Sequence, residues 1–423
     1  MTSTRVRCLL LTLLTLGSHV SQAQDLTFDW DYTVSGRSTA HRDSLLVGEA
    51  IRDRSHSVDA LLDVQFDAAG FSGLLAAKGS NIYHSDHSIS FEGELIVQEL
   101  MWQGSVGSLP LDLTLGKVRL DWGVGYGYRP LDLFKPYRRN PVGIQVEEGS
   151  GTAMLSYFDL AGEWSLVYTD SSWTQQTTSA LEQATQQQGA GVRRYWLDGD
   201  SEWQTVLYYD DVRHGLAATS LVSVLNPAWS VHASAIYQRH YQAYQQTHNK
   251  PVQLTRYEDG YQGLIGLNWA NALGNNIIVE YWYDSRAWSK RQWQSAFRDV
   301  DRLSANPVSQ PMARSYANGL THANLVEHNV MLHWSLDSTS WSQWQWSKDW
   351  LWLDDLTPTF DLLVAPQDGG VIATQRLNYT LYDSGSVSFL TEIAARFMTG
   401  DNTSIYANLP DKRMIFINLK GKF

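Results

Sequence analysis

Between Asp25 and the C-terminus the chain falls into about eighteen runs with apolar residues at every second position, the length and spacing of strands in a closed barrel. A period of two is the pleat of a β-strand, whose successive side chains point to opposite faces. In His56–Asp67, Val58, Ala60, Leu62, Val64 and Phe66 share one face, and Asp63, Gln65 and Asp67 share the other. Ile277, Val279, Tyr281 and Tyr283 likewise oppose Glu280 and Asp284, and Phe389, Ile393 and Phe397 oppose Ser388, Glu392 and Arg396. The connections keep phase with the runs. DAAG, VGS, DLAG, DGDS, NPA, NALGN, DSTS and DSGS fall on one rim, and the longer loops fall on the other. Only SDHS and the link at Asp210–Arg213 are short on the second rim. A soluble sandwich with a filled core has no reason to sort loop length by parity. A closed barrel in hydrocarbon does, because every backbone polar group must be paired within the protein and a barrel leaves no edge.

The last eleven residues, RMIFINLKGKF, carry the same alternation to the end of the chain. Ile415, Ile417, Leu419 and Phe423 lie on one parity, with Gly421 between the last two, while Asn418, Lys420 and Lys422 lie on the other. A terminal strand of this kind, ending on Phe423, resembles the closing strand of bacterial outer-membrane β-barrels, where it serves as an assembly signal. Gly421 departs from that signal, which usually has a larger apolar residue there. The expected fold is therefore all-β: a single transmembrane antiparallel β-barrel of about 18 strands, or 16 on the shorter count, with long extracellular loops and short periplasmic turns. Its expected setting is the bacterial outer membrane. Membrane lipid, lipopolysaccharide and the barrel-assembly machinery are then its expected partners.

The N-terminus agrees. Residues 1–23 have the form of a secretory signal peptide, with Arg5 and Arg7, an apolar core over Cys8–Leu16 and a Ser21-Gln22-Ala23 cleavage site. The domain reading is thus a leader over 1–23 and a barrel over 24–423, with a loop around 121–150 folded inward. The only cysteine, Cys8, leaves with the leader, so the remaining chain has neither a disulfide framework nor thiolate chemistry. The formal net charge of −12 becomes more negative once the two arginines are removed, which excludes a nucleic-acid partner that wants a basic surface. Eighteen Trp and twenty-one Tyr match the aromatic girdles that flank the apolar band of a membrane barrel.

One stretch breaks the pattern. Lys117–Pro141, KVRLDWGVGYGYRPLDLFKPYRRNP, is too long and irregular for a strand, and its aromatics and prolines argue against disorder. Folded into a barrel, it would narrow the bore, with Arg129, Lys135, Arg138 and Arg139 at the constriction. The alternative is that these basic residues sit at the rim and pair with lipid phosphate. Lys117 and Arg119 are further candidates for the lumen, as are Arg376, Glu392 and Arg396 near the C-terminus. Facing acids at Asp63, Glu92, Glu94 and Glu280 would set up a transverse field that favours polar or anionic solutes over apolar ones. The pattern G-K-x-x-x-x-W-G-x-G-Y followed by P-x-D-x-F (Gly116, Lys117, Trp122, Gly123, Gly125, Tyr126; Pro130, Asp132, Phe134) resembles a motif of large outer-membrane porins and alginate-export-type barrels. That resemblance implies a monomeric 18-stranded barrel carrying small solutes or an anionic polysaccharide.

Nothing in the sequence points to catalysis. It has no G-x-S-x-G elbow, no HExxH zinc spacing, and no Walker or dinucleotide glycine motif. No cofactor and no dedicated metal site are expected, and H-S-D-H at 84–87 supports no more than adventitious metal contact. The first reading is a channel, porin-like or polysaccharide-export-like. The second is a closed-lumen surface barrel that binds or assembles with glycan or protein through aromatic loops near Trp288 and Trp293. A barrel hydrolase is the weakest reading.

Overall fold

The computed structural model describes residues 26–48, 53–83, 89–134, 144, 146–175, 179–247 and 250–423. The leader, the 84–87 tetrapeptide and the expected constriction residues Lys135, Arg138 and Arg139 lie outside the described residues. The first six strands are β1 (Thr27–His41), β2 (Arg54–Ala68), β3 (Phe71–Tyr83), β4 (Ile89–Ser105), β5 (Leu111–Val118) and β6 (Ser150–Phe158). Next come β7 (Gly162–Asp170), β8 (Gln188–Asp198), β9 (Ser201–Asp210), β10 (Leu216–Asn226), β11 (Trp229–Gln245) and β12 (Gln253–Ala270). The remaining six are β13 (Asn275–Asp284), β14 (His328–Leu336), β15 (Leu356–Ala365), β16 (Gly370–Asp383), β17 (Ser388–Thr399) and β18 (Asp411–Lys422).

All eighteen strands join one antiparallel sheet in sequence order, and β1 pairs with β18, so the sheet closes as a barrel. The seam runs from Asp31↔Lys422 to His41↔Asp411. Beyond its lower end, Phe423 N–H donates to Trp30 O at 3.0 Å, Trp30 N–H donates back at 3.2 Å, and the two rings stack at 4.0 Å. A Cβ on Gly421 would lie 2.5 Å from the Tyr32 ring, so the residue that departs from the usual closing signal is small because an aromatic ring covers it.

The two faces divide as the alternation requires. Ile417, Ile265 and Leu95 point outward and are more than half exposed, at 56, 61 and 66%. The inward parity holds Ser35, Asn418, Glu392, Glu280 and His232, all buried within the bore. Such an exterior suits hydrocarbon. It is flanked by aromatic belts of two compositions. Trp164, Trp196, Trp203, Trp229 and Trp269 lie towards the short-turn rim, with Trp196 and Trp203 stacked across a hairpin at 6.0 Å. Tyr168, Tyr209, Tyr237, Tyr261 and Tyr281 lie towards the long-loop rim.

Two expectations from the sequence need correction: a strand over Trp341–Leu353 following the DSTS turn, and a β-bulge at Gly116, where the phase of Leu109–Leu120 flips. Trp341–Leu353 is not a strand closed by a DSTS turn. It forms two 3-10 turns, Ser338–Gln343 and Leu351–Asp355, and the strand begins only at Leu356. The tryptophans at 341, 344, 346, 350 and 352 imitate strand alternation but stack on one another instead, and Asp337 stops β14 by accepting from Thr339 N–H at 2.9 Å. Pro358 sits inside β15, near its start. The second correction concerns Gly116. Pairing runs through it without a register shift on either side, and the face changes because its φ of +135° turns the chain, leaving both Thr114 and Lys117 buried.

The long-loop end is capped by packed apolar side chains. The loops there contribute short helix α1 (Ala180–Ala184), helix α2 (Lys290–Ser304) and short helix α3 (Gln310–Ser315). Trp293, Phe297 and Val300 recur at helical spacing within Ala287–Leu303, and helix α2 forms there, starting three residues later at a reciprocal capping box of Ser289 and Gln292. Its Trp293, Phe297 and Val300 pack with Trp288, Tyr316, Ile405 and Tyr406 in one buried cluster.

Candidate pore constriction

β5 and β6 lie nearly opposite β14 in strand order, and the segment joining them reaches that far wall. Its feet are tied to the near wall. Lys117 Nζ meets Glu148 Oε1 at 2.7 Å with both side chains buried, and Glu148 also accepts from Gln175 N–H. Arg119 donates its backbone N–H to Glu99 at 2.9 Å, with its guanidinium 3.4 Å from the same oxygen. Trp122, Leu131 and Phe134 then pack on Val167, Val206, Tyr208, Leu216 and Ile236 of the neighbouring strands.

Within the segment, Asp132 accepts from Gly123 N–H at 2.9 Å and lies 3.8 Å from the Arg129 guanidinium. Burial pushes the Asp132 carboxyl up to about 7, against the pull of Arg129 and Gly123 N–H. The tip, Gly125–Tyr128, meets the far wall. Glu280 on β13, fully buried, accepts from Tyr126 N–H at 2.5 Å and Gly127 N–H at 2.7 Å, and contacts His232 Nε2 at 2.8 Å. A Cβ on Gly127 would meet the Met331 sulfur and approach Glu280 and Trp282, so the tip lies tight against the far wall. Tyr126 lies over the His333 ring at 4.2 Å, with its hydroxyl 3.4 Å from both Asp361 and Arg376. Arg376 and His333 in turn hold Asp361 at 3.1 and 2.7 Å.

Tyr128 closes the gap. Its hydroxyl donates to Gln262 Oε1 at 2.7 Å and lies 3.1 Å from Asp284, and burial raises its pKa. Arg286 pairs with Asp284 at 2.8 Å; burial opposes its charge, but the adjacent carboxylate prevails and raises its pKa. Asn324, from the long loop after β13, donates to Asp284 at 2.8 Å and accepts from Trp282 at 2.9 Å. This cluster of Tyr128, Asn324 and Trp282 separates two cavities. One, of about 170 Å³, lies on the long-loop side and is lined by Arg129, Asp132, Arg213 and Arg286 with several glutamines. The other, of about 200 Å³, is lined by Trp282, Asp361, Arg396 and Tyr406.

The structure thus brings together Lys117, Arg119, Arg129, Glu280 and Arg376 along one crossing segment, with Arg396 lining the second cavity. Glu392 lies on the β17–β18 wall, where it accepts from Asn418 at 2.5 Å and pairs with Lys420 at 3.3 Å. Glu92 and Glu94 share the inward parity of Ile96 and Gln98 but are exposed towards the long-loop end of β4. Asp63 accepts from Gln98 at 2.5 Å and lies directly across the strand pair from Asp31. Glu280 spends its charge on backbone N–H groups, so it anchors the segment more than it faces a row of cations.

Asp284, Arg286, Arg213, Gln238, Gln262 and Asn324 were invisible as site residues. They are ordinary lumen or loop residues in sequence, drawn together only by curvature. Trp288 and Trp293 are each 2% exposed and bond through their indole N–H groups to Tyr244 O and Leu325 O, so they are core residues of the loop cap rather than open faces for glycan. Among the described residues no cluster of three or more metal-ligating side chains forms.

No family model matches the chain, and no curated protein matches it in sequence. Solved structures do match in shape. OccK8 (OprE) of Pseudomonas aeruginosa aligns over 95% of this chain and 98% of its own, with a TM-score of 0.53 at 10% identity. OccAB1 of Acinetobacter baumannii covers 95 and 97%, with a TM-score of 0.51 at 10% identity. The outer membrane protein opdK of P. aeruginosa covers 95 and 99%, with a TM-score of 0.50 at 9% identity. The chain therefore has the fold of these barrels over nearly its whole length.

Proposed function

We propose that this protein is an outer-membrane channel of the porin kind, which passes small polar or anionic solutes through a bore narrowed by its own inward loop. The observation that carries this reading is the crossing segment Lys117–Phe134. It is pinned at both walls by hydrogen bonds and leaves polar cavities beside it, inside a closed barrel with an apolar exterior. Its likeness in fold to the outer membrane protein opdK supports the same setting. Membrane lipid, lipopolysaccharide and the barrel-assembly machinery are its partners in this reading.

Refolded protein in planar bilayers tests it. Discrete, voltage-tolerant steps of KCl current are expected, and a correctly folded barrel that carries no current would overturn the reading. Export of an anionic polysaccharide, which the glycine-aromatic motif implies by resemblance, is the competing use of the same bore. The engagement of Lys117, Arg119, Arg129 and Arg376 with carboxylates speaks against a free cationic track for such a polymer.

A further inference from the structure

At the short-turn rim, 69–70, 199–200 and 384–387 join their strands by tight turns, but residues 337–355 form a long connection between β14 and β15. Two residues at its roots decide where it lies. Leu336 and Pro358 come next in register after the Ser335↔Thr359 pair and share the parity of Trp334 and Phe360. That parity is outward, because His333 and Asp361 on the other one meet inside the bore. Leu377, outward and across from Pro358, stays 38% exposed, yet Leu336 is 1% exposed and Pro358 is buried. A connection hung beneath the barrel or folded into the bore would leave both of them bare. It therefore lies back against the outer wall, with the Trp341 indole N–H donating to Leu356 O at 2.7 Å.

Much of the segment's backbone is paired within itself. Trp350 and Leu353 N–H donate to Ser347 O and Trp350 O, both at 2.8 Å, and Lys348 N–H donates to Trp344 O at 3.0 Å. Ser347 and Leu353 are buried, while Trp346, Trp350, Leu351 and Trp352 are between 52 and 75% exposed. Exposed Lys348, Asp349 and Asp355 lie among them. An apolar patch edged by charge marks an interaction surface. What it meets follows from its place. It extends the tryptophan belt of Trp164, Trp196, Trp203, Trp229 and Trp269 at the same rim, on the outside of a wall that faces hydrocarbon. Tryptophan, an apolar ring with one N–H donor, is favoured where acyl chains meet headgroups. The charges are too costly for the bilayer centre and hold the segment at that boundary. We propose that residues 337–355 are a lipid-docking foot, seated through Trp346, Trp350, Leu351 and Trp352 in the phospholipid leaflet at the short-turn rim. The inference needs the barrel in a bilayer and does not depend on whether the bore conducts.

Residues 24–423 hold no cysteine, so the variants L351C and D200C can each carry a single environment-sensitive fluorophore, D200C marking a tight turn of the same rim. The protein is refolded into vesicles of phosphatidylethanolamine and phosphatidylglycerol that contain nitroxide-labelled lipid. The label at 351 should be quenched at least about twofold more by a nitroxide near the headgroup than by one at the acyl-chain end, as for a face sunk about 5–10 Å. It should also emit at shorter wavelength than the label at 200. Heat-modifiable electrophoretic mobility reports folding, and W346C carries the same expectation should L351C fail to fold. Equal behaviour of the labels at 351 and 200 overturns the proposal, and a water-like label at 351 leaves the face to a periplasmic partner. Emission at shorter wavelength without quenching by lipid, together with disulfide-linked dimers of unlabelled L351C, overturns it in favour of a second copy of the chain.

Discussion

The Glu280 carboxylate, on the wall facing the root of the inward segment, accepts the backbone N–H of Tyr126 at 2.5 Å across the bore. With Gly127 N–H on its other oxygen it is the fixed point on which the segment ends. Truncating it in E280A leaves two inward N–H groups without an acceptor, at about 1–3 kcal/mol each. The segment should then detach at its tip while the barrel stays closed. Single-channel recordings should show larger unit conductance and more open-state noise; recordings indistinguishable from wild type would remove Glu280 as the anchor.

Asp132 should make the segment sensitive to pH near neutrality. Its folded pKa, pushed up to about 7 by burial, lies above the ordinary 3.8, so the folded protein takes up a proton between those values. The sign follows from that. Stability contributed by the neutral carboxyl is complete below the unfolded value and falls as pH rises towards 7, beyond which the loop must hold a buried charge beside Arg129. Conductance recorded from pH 6 to 8 should change in the wild type and flatten in D132N, which keeps an acceptor for Gly123 N–H. An equal slope in both would assign the titration elsewhere.

Lys117 and Glu148 form a buried pair at the foot of the segment. Removing one partner strands the other charge and should cost about 3–5 kcal/mol, while removing both should recover most of it. Denaturant unfolding of K117M, E148Q and the double variant measures the coupling, and simple additivity would contradict it.

The seam depends on the terminal aromatic. F423A loses the ring stacked 4.0 Å from Trp30, an aromatic pair of about 0.5–1.5 kcal/mol, at the step that closes the sheet. Slower folding into lipid vesicles is expected, followed as the appearance of the heat-modifiable band, with F423W close to wild type.

Selectivity tests the basic residues of the segment. Neutralising Arg129, Arg138 and Arg139 to glutamine should lower anion preference, shifting the reversal potential under a KCl gradient towards that of a cation-selective pore. An unchanged potential would take these three out of the conduction path.

Much of the architecture could be read from the chain because alternation and turn chemistry are local. A strand in hydrocarbon must place Ile415, Ile417 and Leu419 outward whatever its neighbours are, so parity alone specified the faces, and turns such as DGDS marked the hairpins. The pattern misled in the tryptophan run at 341–352, whose spacing imitates a strand, and at Gly116, where a change of face reads as a bulge. The constriction was legible as a segment, from glycines and aromatics that no strand would tolerate. Its chemistry was not. Whether Glu280 is a wall charge or an anchor, whether Arg129 is free or paired, and which glutamines share a cavity depend on contacts between residues up to 250 positions apart, such as Tyr126 with Arg376. Those contacts are set by barrel closure and by the path of one loop across the bore, quantities that no local periodicity encodes.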